Sequence, residues 1–233
     1  MKNLFLSFFF LLGFSVTSQI NVDSIGIYMF EMHNELRLKG GVSKRYMSNY
    51  CKLTSKNHLG YIMKYGLWDA HNQTKVFVGN KILRTPNDRY NYYNRDTFKV
   101  TDLDYSWYVR QYTFTGEICT LQEMKVDVNN KDVNRVVAKL LLQNFINSKN
   151  HNMQLMDNIF SDNGEYIVRG YFSVDYKMTN GQYNFHCVAV FDSSRSKSTE
   201  LIKDYTNEYN FLYKYNTSLK KIRMRFSPIL VIA

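Results

Sequence analysis

The sequence predicts an α+β chain, and three observations carry that prediction. Apolar residues recur at helical spacing up to about residue 159. From residue 165 the pattern changes to period-two alternation. An Asn-Gly pair then separates two alternating segments, which is a hairpin signal because both residues tolerate positive φ. Helices come first and an antiparallel pair last, an order unlike the repeated βαβ units of a parallel sheet.

The elements follow in chain order. Met1-Lys2-Asn3 carries one positive charge, Leu4 to Phe14 is an apolar run, and Ser15-Val16-Thr17-Ser18 are small or polar. This is the layout of a secretory signal peptide, and the run is shorter than the ~20 residues of a membrane span. Residues 1–18 are therefore read as a signal peptide, with the mature chain secreted or periplasmic and without a transmembrane span. Asp23 to Lys39 places Ile25, Tyr28, Met29, Met32 and Leu36 on one helical face. Asp23 or Ser24 is the expected cap and Gly40-Gly41 the stop. His33, Asn34 and Arg37 fall off that stripe, and Gly26 weakens it. A second helix is expected over 56–68, capped by Thr54 or Ser55, with His71 just past its end.

Residues 79–105 read as a loop, given Pro86 and several Asn and Asp. Ser106 to Phe114 alternates weakly and suggests a strand. Asp132 caps the strongest helix, whose stripe is Val133, Val136, Val137, Leu140, Leu141 and Phe145. It ends near Asn147, and a short helix with Leu155, Met156 and Ile159 follows His151. Tyr166, Val168, Phe172, Val174 and Tyr176 share one face of the first hairpin strand. Tyr183, Phe185, Cys187, Ala189 and Phe191 share one face of the second. Ser193 to Lys203 is polar and closes the core. Residues 19–192 thus form the domain, and 193–233 a basic extension in which Lys221, Arg223 and Arg225 line one side.

Composition bounds the function classes. The 233 residues are 45% hydrophobic and 21% charged, with two prolines, which excludes disorder and collagen-like repeats. The formal charge is +10, and removing Lys2 leaves +9 (10 − 1). Cys51, Cys119 and Cys187 permit one disulfide and one odd thiol, or three buried thiols, and both readings stay open. Arg84, Arg89 and Arg95 interleave with Tyr90, Tyr92 and Tyr93. With Lys221, Arg223 and Arg225 they are the expected surface for an anionic partner. An exported protein points this surface to envelope glycans rather than nucleic acid. No phosphate-cradling Gly-rich loop and no CxxC pattern is present. A Cys-His hydrolase has no flanking signature to support it.

Several segments also stand in a telling order. His71 follows the second helix, Thr115-Gly116-Glu117-Ile118 comes later, and a helix runs through Phe145-Ile146-Asn147-Ser148 to His151. A hairpin then closes with Val188-Ala189-Val190-Phe191. This order resembles the CAP superfamily (SCP domains; cysteine-rich secretory, antigen 5 and pathogenesis-related 1 proteins). The family's Gly-Glu-Asn has Ile118 in place of its Asn. Its Trp-x-x-Ser-Pro-Gly-His-Arg keeps Ser148 and His151 but has Phe145, Lys149, Asn150 and Asn152 elsewhere. The resemblance implies an α-β-α sandwich with a small antiparallel sheet and a late β-hairpin. It implies a cleft lined by His71, Glu117, Ser148 and His151, and a divalent cation such as Zn²⁺ held by His71, Glu117 and His151. Two imidazoles and a carboxylate suit that ion. The family's second acidic ligand has no match beyond nearby Glu123. The expectation is a non-enzymatic module binding a lipid, peptide or glycan. The alternatives are a metal-dependent hydrolase and a basic protein of anionic glycans.

Overall fold

A computed structural model describes residues 20–66, 71–98, 112–157 and 166–195. The expected signal peptide, the Ser106–Gln111 part of the expected strand, and Lys221, Arg223 and Arg225 lie outside the described residues. No helix among the described residues is long and apolar enough to cross a membrane.

Helix α1 spans Val22–Lys39. Its cap is Asn21, earlier than Asp23 or Ser24 would place it, and the Asn21 side chain accepts from the Ser24 N–H. A two-residue strand β1, Tyr46–Met47, precedes α2, Asn49–Tyr65. Helix α2 starts at the Ser48 cap rather than at Thr54 or Ser55, and stops at Gly66, whose φ of 63° is left-handed.

Helix α3, Pro86–Phe98, replaces the expected loop. The local reason is a reciprocal cap: Thr85 N–H donates to Asp88 Oδ2 at 2.9 Å and Asp88 N–H to Thr85 Oγ1 at 3.2 Å. Pro86 then sits at the first helical position, where no N–H is needed. The apolar stripe is missing because the helix buries Arg89 and Tyr90 instead of aliphatic residues.

Strand β2 runs Tyr112–Met124, later and longer than expected. Helix α4, Val133–Asn147, follows at the expected place. Helix α5, Lys149–Leu155, starts two residues before His151 rather than after it and ends before Met156, while Ile159 lies outside the described residues. The α4 stripe is rotated: Ala138 and Leu142 join the core, while Val136 and Leu140 are exposed. Strands β3, Tyr166–Thr179, and β4, Gln182–Arg195, form the expected hairpin. Asn180 and Gly181 have φ of 53° and 74°, the two positive values a tight type I′ turn requires.

The sheet order is β1-β3-β4-β2. β3–β4 and β4–β2 are antiparallel, but β1 pairs β3 in parallel, so the sheet is mixed rather than antiparallel throughout. Helices cover both faces, which gives the α-β-α sandwich. On one face stand Phe172 and Val174 of β3 beside Ala189 and Cys187 of β4. Phe30 of α1 and Phe145 of α4 pack on Phe172, with ring centroids 6.5 and 6.4 Å away. On the other face Ser173 meets Ser55 of α2 at 2.7 Å, and Asp192 accepts from Tyr90 of α3 at 2.7 Å.

Gly26 has a packing reason that outweighs its poor helix propensity. A Cβ there would lie 2.4 Å from the Phe172 carbonyl oxygen, so α1 sits directly on the β3 backbone. We expect Gly26→Ala to destabilise the protein. Overpacking of about 1–3 kcal/mol against an immovable carbonyl exceeds the ~1 kcal/mol of helix propensity gained. Urea denaturation of the two proteins checks this, and an unchanged or raised midpoint would refute the close packing.

His33 and Arg37, expected off the apolar stripe, are also buried. Arg37 Nη1 donates to the Leu155 and Asp157 carbonyls at 2.6 and 3.1 Å, and Arg45 Nη2 donates to Gln154 O at 3.0 Å. These guanidiniums satisfy the carbonyls at the C-terminal end of α5, and tie it to α1 through Arg37 and to the segment before β1 through Arg45. Burial, then Arg45, holds His33 down to about 3, so its ring is neutral and shares Leu155 O at 2.9 Å.

Candidate functional site

Strand β2 puts Glu117 and Cys119 on the same sheet face, two residues apart, against α2 and α3. Glu117 is buried, 5% exposed, which an unpaired carboxylate would not tolerate. Its charge is met by Arg89 of α3, itself fully buried. Arg89 Nη2 lies 2.7 Å from Oε1 and 2.8 Å from Oε2. The same nitrogen donates to the His71 carbonyl at 3.1 Å, and Nη1 reaches the carbonyls of Leu83 and Arg84 at 3.4 Å. Arg89 was expected on an exposed anion-binding surface. The structure corrects this: the capping box starts α3 so that position 89 points into the sandwich. Arg84 is exposed, as expected; Arg95 belongs to α3, and its side chain is outside the described residues.

His71 and Glu117 meet, as the family resemblance implies. His71 Nδ1–H donates to Glu117 Oε1 at 3.1 Å, and the imidazole remains 43% exposed. Its Nε2 is the ring edge turned away from the carboxylate. His151, on α5, is half-buried with its ring edge-on to Phe145 at 5.4 Å. Partial burial lowers its pKa, and the His71 charge lowers it further, so the two imidazoles sense each other. Ser148 is the junction of α4 and α5: its N–H donates to Phe145 O and its carbonyl accepts from the Asn152 N–H. It caps neither helix with its side chain. Glu123 is exposed, six residues along β2 from Glu117 and so ~20 Å away.

Two site residues were not assigned from the sequence. His58 of α2 is fully buried, with Nε2 3.7 Å from Glu117 Oε1. Gln73 Nε2 orients it by donating to His58 Nδ1 at 3.2 Å and to Asn57 Oδ1 at 3.1 Å. Cys119 Sγ lies 4.0 Å from Glu117 Oε1. Burial, then the Glu117 charge, pushes its thiol well up, so it is protonated and inert. Cys51 and Cys187 are also free, buried thiols. The alternation Glu117-Ile118-Cys119 was the signal that could have joined Cys119 to the site.

The electrostatics follow from these contacts. Burial alone would raise the Glu117 pKa. The His71 hydrogen bond, the Arg89 charge and bond, and His58 outweigh it and hold the carboxyl below its ordinary value. Glu117 is therefore ionised and fully engaged. A divalent cation on His71, Glu117 and His151 does not fit this arrangement. A guanidinium holds both carboxylate oxygens, so Glu117 is not free to ligate the ion.

No family model and no curated protein matches the chain. Three solved structures are similar to it. An outer surface protein from Borrelia burgdorferi is 17% identical over 72% of this chain and 90% of its own, with a TM-score of 0.39. An extracellular protein containing an SCP domain from Bacillus anthracis str. Ames is 13% identical over 71% and 40%, with a TM-score of 0.37. The CAP domain of Enterococcal PrgA is 10% identical over 75% and 64%, with a TM-score of 0.35. Two of the three carry the name of the family whose motif order the sequence resembles. All three TM-scores lie below 0.5, so none of these likenesses bears on the role of a residue.

Proposed function

We propose that this chain is an exported, non-enzymatic binding module of CAP-like type, whose ligand meets the rim formed by His71 and His151. One observation carries the reading: both oxygens of Glu117 are held by Arg89, and one also by His71. A carboxylate so engaged is a poor general base, because any proton it took would break a buried ion pair. What stays open to solvent is His71, a hydrogen-bonding imidazole held in one orientation by the carboxylate behind it. Such a group recognises a carbonyl, hydroxyl or anionic headgroup, which lipids, peptides and glycans all offer.

The test uses the mature protein with His71→Ala and His151→Ala. Acyl lipids, peptides and acidic glycans are titrated by thermal shift, and ester and peptide turnover is assayed with and without Zn²⁺. The expected result is saturable stabilisation by one class, about tenfold weaker in each variant, the value of one hydrogen bond of ~1.4 kcal/mol. No turnover is expected. Zn²⁺-dependent turnover abolished by His71→Ala would overturn the reading in favour of a hydrolase. Stabilisation by glycans that both variants keep would move the ligand to the Arg84 surface.

A further inference from the structure

Two imidazoles and a thiol converge on one carboxylate oxygen. From Glu117 Oε1, His71 Nδ1 is 3.1 Å away, His58 Nε2 3.7 Å and Cys119 Sγ 4.0 Å. The ligand atoms of His58, Glu117 and Cys119 all lie within 4.8 Å of one another. In a tetrahedral site with bonds of about 2.0–2.3 Å, ligand atoms stand about 3.3–3.8 Å apart. These three atoms are thus close to the dimensions of a His-Glu-Cys site, His71 meets the same carboxylate oxygen, and a positive charge already sits against it.

We propose that Arg89 is the resident cation of this site, standing where a transition-metal ion would otherwise be held by His58, His71, Glu117 and Cys119. The inference rests on the reading of Glu117 as a carboxylate neutralised from within. Three features support it. The guanidinium is fully buried and meets both oxygens of the carboxylate, so it supplies the compensation a bound ion would supply. Its remaining bonds go to the carbonyls of His71, Leu83 and Arg84, which lock it in place. The supporting shell of a metal ligand is also present around His58. Gln73 faces its Nδ1, and Gln73 Oε1 is buried without a hydrogen-bond partner. Turning the Gln73 and Asn57 amides over together lets Gln73 Oε1 accept from both Asn57 Nδ2–H and His58 Nδ1–H, and makes His58 Nε2 the lone-pair nitrogen, aimed at the site. Metal entry would also require Cys119 to release its proton to solvent, a step the Arg89–Glu117 pair makes unnecessary.

The test is Co²⁺ and Zn²⁺ titration of the wild type, Arg89→Met and the double variant Arg89→Met/Cys119→Ser. The wild type should show no thiolate-to-cobalt charge-transfer band. Arg89→Met should take one ion per chain with that band, and the double variant should lose the band. The gain in Zn²⁺ affinity should be at least about a thousandfold. Removing one unit charge ~4 Å from the ion at an effective dielectric near 20 has that effect. If Arg89→Met does not fold alone, it is refolded with Zn²⁺: recovery of the native fold supports the proposal, and failure to recover overturns it. A folded Arg89→Met that binds no metal, or a wild type that binds it as tightly, overturns it as well. Ligand binding at the His71–His151 rim is read in the wild type without metal, so that reading can fail or stand separately.

Discussion

Glu117→Gln should lower the unfolding free energy by about 3–5 kcal/mol, because it strands the fully buried Arg89 cation without a counter-charge. For a chain of this size that is a fall of roughly 6–20 °C in Tm. The double variant Arg89→Met/Glu117→Gln should recover most of the loss, since an uncharged pair of similar volume has no charge to bury. Calorimetry of these three proteins and of Arg89→Met decides the matter. A double variant as unstable as the sum of its parts would show that packing, and not charge, holds the site. The pH dependence has a definite sign. The folded-state pKa of Glu117 lies below its ordinary 4.5, so its ionised form stabilises the native state above about pH 4.5. That contribution is lost as pH falls through the lowered folded value. The wild-type advantage over Glu117→Gln should therefore shrink on acidification below pH 4.5, with a plateau above it.

Asp192→Asn should have an effect of similar size one strand over on the same sheet face, two residues from the Val190 that pairs with Glu117. Asp192 is fully buried and gathers three elements. Arg169 Nε and Nη2 of β3 donate to its two oxygens at 2.7 and 3.0 Å. Tyr90 of α3 donates at 2.7 Å, and Ser48, the α2 cap, at 3.2 Å. Burial, then the Asp192 charge, pushes the Tyr90 phenol well up, so it remains a donor. The amide keeps the shape but removes the charge opposite a buried guanidinium, at a cost of about 3–5 kcal/mol. Tyr90→Phe removes one bond to a charged acceptor and should cost less, about 1.5–3 kcal/mol. Denaturant unfolding ranks the two, and a ranking in the reverse order would place the stability in Tyr90 packing instead.

These two networks show why the sequence was readable in some places and opaque in others. The hairpin was legible because Asn180-Gly181 and the alternation on either side act within a few residues. The α4 boundaries are legible for the same reason, since apolar periodicity is local, whereas α5 begins earlier than its apolar residues suggest because its first turn is polar. Helix α3 was not, because its signal was the Thr85–Asp88 cap and Pro86 rather than an apolar stripe, and its buried face carries Arg89. The pairing of His71 with Glu117 was legible only through the order of motifs along the chain. Local pattern does not bring together residues 46 apart.

By itself, then, the sequence determined α1, α4 and the β3–β4 hairpin with its turn, and the pool of imidazoles and carboxylates available to a site. Only the tertiary structure decided what that pool becomes. Whether Arg89 is a solvated surface charge or a buried counter-ion depends on which way α3 faces once it packs against β2, where Glu117 lies 28 residues farther along the chain. Whether Glu117 waits for a cation or already has one depends on the same packing. The physical reason is that the energy of a charge is set by its distance to other charges and to water, and the fold alone supplies both distances.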